Sequence, residues 1–409
     1  MKSMSNIAGL FIMTVSLVGS GCLPAQKPQA DPKGKPWVQL FAESKGRTVT
    51  LLMWQGDPYI NNYMNNFVSP QLKSRYGINL RIAPGQGNTL VTIIMKEKEA
   101  RKKVSDIDMV WINGETFYQL RQIDGLYGPF VAGLPNAKYI DDNNKFINYD
   151  FQQPTDGYEC PWGNVQMAII YNSAMIKDPP RTRDELERWV MAHPKKFTIT
   201  NDFTGMTFLK SLLIDIAGGK GSLNGKFDPV KYRKYSGLLW QYINRIKPYF
   251  WKNGDTFPDN VATMDQLFSN GELYFTMSNN DGEVDNKVLQ GLFPNTSRAY
   301  VLDNGTIQNS HYLGIVKNAG NKAAAMVVCN FLISPEAQFE KFKPQVWGDG
   351  TILALDKLPA FYRARFLNLP ERKFAPPRSL IQEKALQEPS SAYMINLFAD
   401  FRKYVLEKK

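Results

Sequence analysis

Three times within its first 130 residues the chain repeats one pattern: a short apolar run, a polar turn with glycine, then apolar residues at helical spacing. The clearest copy is residues 105–129. Its run 107–112 has the length and β-branched, aromatic character of a fully buried strand. Asn113-Gly114-Glu115 ends that run, Phe117, Leu120 and Ile123 follow at a helical period, and Gly125 marks the stop. Residues 48–68 repeat it with a strand at 49–54 and the turn Gln55-Gly56-Asp57. Asp57 is the N-cap, Pro58 takes the first helical position, and Ile60, Tyr63, Met64, Phe67 and Val68 share one face. Residues 78–99 are the third copy, with strand 78–83, turn 84–88 and a helix burying Leu90, Val91, Ile93 and Ile94. Successive buried strands joined by helices predict a parallel sheet with right-handed crossovers. All the turns then lie on one sheet edge, where open α/β sheets take their ligands.

At 409 residues the chain exceeds one ordinary core, so two domains are expected. Residues 138–153 are polar, without period, and predict a surface loop. The strand 165–171, preceded by Tyr158-Glu159-Cys160-Pro161-Trp162-Gly163, is the crossing point between domains. The second half then repeats the βα logic. A capping box at Thr182…Glu185 opens one helix. A strand at 197–200 leads through Asn201-Asp202-Phe203-Thr204-Gly205 into a helix burying Phe208, Leu209, Leu212, Leu213 and Ile216. A strand at 272–277 ends in Ser278-Asn279-Asn280-Asp281-Gly282. A second crossing strand is expected at 311–316, followed by helices at 322–333 and 394–406.

The N-terminus has the form of a targeting segment: Lys2, an apolar stretch 7–18, then Gly19-Ser20-Gly21-Cys22. Small residues before a cysteine resemble the lipobox of bacterial lipoproteins, with Cys22 as the lipid-modified first mature residue. Gly19 stands where lipoboxes carry leucine. No later stretch reaches the ~20 apolar residues of a spanning helix. The Pro- and Lys-rich segment after Cys22 predicts a flexible tether. The net charge of +11 comes from 49 basic and 38 acidic residues. The bases are scattered, which argues against nucleic-acid binding. After Cys22 only Cys160 and Cys329 remain, read as two buried free thiols, with a disulfide left open.

Most catalytic chemistry is excluded. With two histidines, His193 and His311, no metal set exists at ligand spacing, and no cofactor loop is complete: Gly219-Lys220-Gly221-Ser222-Leu223-Asn224-Gly225-Lys226 is followed by Phe227, not Ser or Thr. Asp57, Glu115, Asp202 and Asp281 each follow a strand, where the plain role is helix capping. Two of them could instead serve as an acid/base pair for glycoside hydrolysis. With Trp54, Trp111, Tyr158 and Trp162 near strand ends, they would also suit a cation through charge pairing and cation–π contact.

In this order, the lipobox, three βα units, crossing strand, second βα domain, return strand and Asn330-Phe331-Leu332-Ile333-Ser334-Pro335-Glu336-Ala337-Gln338 resemble the solute-binding proteins of bacterial ABC importers. The likeness is to the two-domain type seen in spermidine and thiamine binders, and closest to the YnjB-type subfamily, on Trp54-Gln55-Gly56-Asp57-Pro58, residues 108–115 and Leu126-Tyr127-Gly128-Pro129-Phe130. It implies a two-lobed α/β periplasmic-binding-protein fold of type II. The implied parts are a signal peptide 1–21, a tether 22–46, lobe 1 at 47–158 with 310–345, lobe 2 at 159–309, and a C-terminal helical region 346–409 packed on both. By matching position, Trp54, Gly56, Asp57, Gln86, Gly87, Asn88, Asn113, Gly114 and Glu115 would line the cleft from lobe 1. Trp162, Asn164, Asp202, Thr204, Asn280 and Asp281 would line it from the other side. The implied function is non-enzymatic: a monomer, lipid-anchored in the cell envelope, delivers a small solute, cationic and thiamine- or polyamine-like, to a membrane permease. The alternative is a carbohydrate-active hydrolase or sugar binder.

Overall fold

The structure is a computed structural model and describes residues 28–407, so the leader and Cys22 lie outside the described residues. The strands are β1 (Thr48–Met53), β2 (Asn79–Pro84), β3 (Met109–Ile112), β4 (Leu126–Tyr127), β5 (Tyr149–Asp150), β6 (Gln153–Pro154), β7 (Glu159–Gln166), β8 (Ala168–Asn172), β9 (Phe275–Ser278), β10 (Ser297–Tyr300), β11 (Thr306–Val316) and β12 (Ala385–Leu386). β3, β1 and β2 pair side by side and parallel, with β1 in the middle. Their carboxyl ends therefore share one edge, as the repeated pattern predicts. Asp57 caps the first helix, Pro58–Asn62, with Pro58 at its start. Ile60, Tyr63, Met64 and Val68 of the helical stretch beyond it are buried.

Two long strands join the lobes. β7 and β11 pair antiparallel from Glu159–Gly314 to Gln166–Gln308. At one end β11 also pairs with β3, and Leu313, Ile315 and Val316 enter the core of lobe 1. At the other, Ile307 enters the core of lobe 2. The crossing strand is thus 159–166, earlier than expected: Met167 N still bonds Ile307 O of β11 (2.8 Å), and β8 then leaves to pair with β9 and β10. The register shifts between His311 and Tyr312, which pair with Gly163 and Pro161. Trp162 is the extra residue of a β-bulge, a device that re-aims a side chain.

Lobe 2 departs from the parallel expectation. Its sheet is a small antiparallel one, β10-β8-β9. The buried segment 197–200 forms no strand: Phe197 O and Lys196 O accept from Trp251 N (2.9 Å), in a 3-10 turn, and Tyr274 N (3.0 Å), in a bend. Apolar character marked it as interior without providing a strand partner. Residues 138–153 also differ, since Ile147, Asp150 and Phe151 are buried at the lobe junction. The expected tether is docked from Gln29 on: its N–H bonds Gly320 O (2.7 Å), its side chain accepts from Ala324 N (3.2 Å), and Asp31 accepts from Tyr127 OH (3.0 Å). The C-terminal region packs Ile352, Leu358 and Phe366 into lobe 1 and Tyr393, Met394, Leu397 and Phe401 into lobe 2. Cys160 and Cys329 are buried and free.

Candidate functional site

The lobe 1 edge is built from three neighbouring turns. After β1, Asp57 Oδ1 accepts from Tyr59 N (2.7 Å) and Ile60 N (3.1 Å). The Trp54 indole lies over Gly56 so closely that a Cβ there would overlap the ring. After β2, Gln86 is exposed and precedes the helix Gly87–Glu99, and Gly87 packs against the Thr116 hydroxyl. The Asn88 side chain lies outside the described residues. After β3, Asn113 precedes the helix Gly114–Gln122 without a side-chain cap bond. Gly114 has φ +56° and donates its N–H to the buried Asp150 carboxylate, while the Phe151 ring fills the place of its missing Cβ. Glu115 is half-buried, and its Oε2 is buried with no hydrogen-bond partner. Burial raises its pKa; Lys210 acts against the rise and Glu388 adds to it.

On the lobe 2 side the expected carboxylates are engaged. Asp202 Oδ1 caps the helix Phe203–Ile216 through Thr204 N (2.9 Å) and Gly205 N (3.2 Å), and Oδ2 accepts from Val261 N (2.9 Å). The Thr204 hydroxyl accepts from Asn279 Nδ2 (3.0 Å). Asn280 Oδ1 accepts from Gly282 N (2.9 Å) and its amide reaches Gly348 O (3.4 Å). Asp281 is buried and takes Gln166 N (3.0 Å), Arg378 Nε (3.0 Å) and Arg372. Burial opposes its charge, yet the two guanidiniums hold its carboxyl well below the usual range. The turn after β9 therefore ties lobe 2 to β7 and to the C-terminal region.

At the crossing, Asn164 spans both strands, donating to Asn309 O (3.2 Å) and Ser310 Oγ (2.9 Å) and accepting from Gln308 (2.6 Å). The bulge turns Trp162 into a cluster with Trp111 (5.1 Å between ring centres), His311 (5.7 Å) and Trp347 (5.2 Å). Trp162 Nε1 is buried without a partner, and Trp111 alone of the four stays half-buried rather than buried. His311 Nε2 lies 3.1 Å from Asp349 Oδ2, which also meets the buried Lys341. A second buried pair, Lys210–Glu388 (2.6 Å), stands beside Phe151, with Glu388 also accepting from Asn309 (2.9 Å). Lys287 of lobe 2 faces Asp57 of lobe 1 at 4.0 Å. Sequence reasoning misses Lys210, Lys287, Trp347, Asp349 and Glu388. The one local signal is the i, i+4 spacing of Glu283 and Lys287.

A family model described as bacterial extracellular solute-binding protein matches residues 70–354, well over half of the chain. The chain belongs to this family. Protein YnjB of Escherichia coli (strain K12) is 35% identical over 327 residues, 79% of this chain and 84% of that protein. Among solved structures, the spermidine/putrescine ABC transporter substrate-binding protein PotD from Streptococcus pneumoniae is similar with a TM-score of 0.61 at 16% identity, covering 88% of this chain and 99% of that one. The periplasmic binding protein AfuA from Actinobacillus pleuropneumoniae, with fructose-6-phosphate bound, is similar with a TM-score of 0.62 at 11% identity and covers 88% and 99%. The solute-binding fold is thus a two-lobed α/β one. Among the described residues no helix is long and apolar enough to cross a membrane.

Proposed function

We propose that this solute-binding protein captures a small cationic solute between its lobes, through contacts to both, and hands it to the membrane permease of an ABC importer. The observation that supports this most is Glu115, a carboxylate in the third lobe 1 turn whose Oε2 is buried without a donor. A buried, unpartnered carboxylate oxygen is costly unless a donor or cation meets it. Of the four turn carboxylates, Asp202 and Asp281 are already satisfied by caps and guanidiniums, and Asp57 caps a helix and faces Lys287 at 4.0 Å. The half-buried face of Trp111 and the Asn113 amide would add cation–π and polar contacts. That PotD is a spermidine/putrescine protein favours an ammonium solute, while AfuA, with its sugar phosphate, shows that the fold alone does not decide. The other lining residues are those named from lobe 1 and around the crossing. Anchoring through Cys22, a monomeric state and the absence of bond-making chemistry belong to the same reading. With two turn carboxylates fully engaged, a hydrolytic pair has less support.

The test is thermal melting of the mature protein against thiamine, putrescine, spermidine, neutral sugars and sugar phosphates. A solute at 100 times its Kd adds about 2.7 kcal/mol by mass action, which raises Tm by several degrees. Stabilisation by the cations alone is expected. Stabilisation only by sugars or anions overturns the cation reading.

A further inference from the structure

Where the turn after β1 meets lobe 2, three carboxylates crowd one ammonium. Lys287, buried on the helix Glu283–Leu289, contacts Asp265 of the helix Val261–Ser269 and Glu283 of its own helix. Asp57, from lobe 1, stands 4.0 Å from the same Nζ, and Lys287 is its only ion-pair partner among the described residues. Tyr59 also stands at this junction, and its phenol feels both Asp57 and Lys287. Neighbouring hydroxyls do not restore the balance: Thr276 donates to Asp265 (2.6 Å) and Ser278 to Glu283, but neither carries charge. Three carboxylates against one cation leave the closed junction short of positive charge, and low-dielectric surroundings enlarge that cost.

We infer that bringing the lobes together takes up a proton at the Asp57–Glu283–Asp265 junction, so that falling pH favours the closed form. When the lobes part, Asp57 leaves Glu283 and returns to water, while Lys287 keeps its two partners. The direction in which the carboxyls move agrees. Burial, then the charge of Glu283, raises Asp57 against the pull of Lys287. Asp265, whose partners Thr276, Glu283 and Lys287 all belong to lobe 2, is carried up to about 6 chiefly by burial, so it adds no positive charge to meet Asp57. Burial works against the Lys287 ammonium, but Glu283 and Asp265 more than hold its proton. A carboxyl with a higher pKa in the closed form binds more protons there. The closed-to-open ratio therefore rises as pH falls toward the ordinary carboxylate range, by at most about tenfold for each pH unit crossed per proton taken up.

The inference rests on lobe closure but not on the identity of the solute, and the test needs no solute. Small-angle scattering of the mature protein at pH 5 and pH 7.5 reads the radius of gyration, expected to be smaller at pH 5. Asp57→Asn keeps a capping oxygen for Tyr59 and Ile60 and removes the charge, so it should be compact at both pH values. Glu283→Gln should flatten the response in the same way. A radius that does not fall on acidification overturns the inference. So does a full pH response retained in Asp57→Asn, which would trace it to groups outside this junction. A cation panel with no hits beside a flattened Asp57→Asn profile would fail the solute reading alone.

Discussion

A carboxylate oxygen buried without a donor is held there by the rest of the fold, and Oε2 of Glu115 is such an atom. Its charged form is disfavoured by burial, so removing the charge should not weaken the protein. Glu115→Gln is expected to leave Tm unchanged or slightly higher, and to lower affinity for a cationic solute by about tenfold or more, the scale of one charge-assisted contact. Calorimetric titration beside a melting curve checks both halves. A fall in Tm with affinity intact would make Glu115 structural. Asp281 behaves in the opposite way. Its carboxylate neutralises Arg372 and Arg378 in a buried setting, and breaking such a set by removing one partner costs about 3–5 kcal/mol. Its pKa is lowered in the folded state. The stability it contributes is therefore present above the unfolded value and lost as pH falls through the ordinary carboxylate range and below. Asp281→Asn should be destabilised at pH 7, and the gap to the parent in urea unfolding should narrow in acid.

At the scale of elements, the turns do two jobs at once. Asp57 and Asp202 both begin helices, and each satisfies backbone N–H groups that helix geometry leaves unbonded. Asp202 also holds Val261 N, which joins its helix to the start of Val261–Ser269. Asp202→Ala should cost about 1–2 kcal/mol in unfolding free energy, the worth of a strong cap. A solute affinity within a few-fold of the parent would leave capping as its role. The β-bulge at Trp162 belongs to this scale too. One extra residue opposite the His311–Tyr312 step turns an indole into the cluster around Trp111, and a Cβ at Gly163 would overlap His311 and Asp349. Neither the bulge nor its aromatic partner Trp347 shows in local spacing, because both depend on which residue of β11 lies opposite.

At the scale of the whole molecule, β7 and β11 are shared by the two lobes, and the C-terminal region packs into both cores. Closure therefore moves two bodies about a common pair of strands, and any charge facing across the gap becomes part of the closing equilibrium. Asp57 and Lys287 face each other there. The docking of Gln29 and Asp31 fixes where the N-terminal arm leaves: beside Gly320 and Tyr127, on lobe 1.

By itself the sequence determined the three strand–turn–helix units, the helix caps at Asp57 in lobe 1 and Asp202 in lobe 2, the return strand and the two-lobed family. These follow from period, capping residues and glycine placement, which act over a few residues. It also marked Glu115, because a carboxylate in a turn after a buried strand stands at the ligand edge of a parallel sheet. Only the tertiary structure decided that Asp281 belongs to Arg372 and Arg378, about ninety residues away in the chain, and that the polar stretch 138–153 sends Asp150 to Gly114. Lobe 2 is antiparallel for the same reason: β8 finds β9 and β10 across more than a hundred residues. Charge pairing and strand pairing are set by what packing brings together. The turns were therefore legible from the start, while the partners of their carboxylates, and with them which oxygens stay unpartnered, were not.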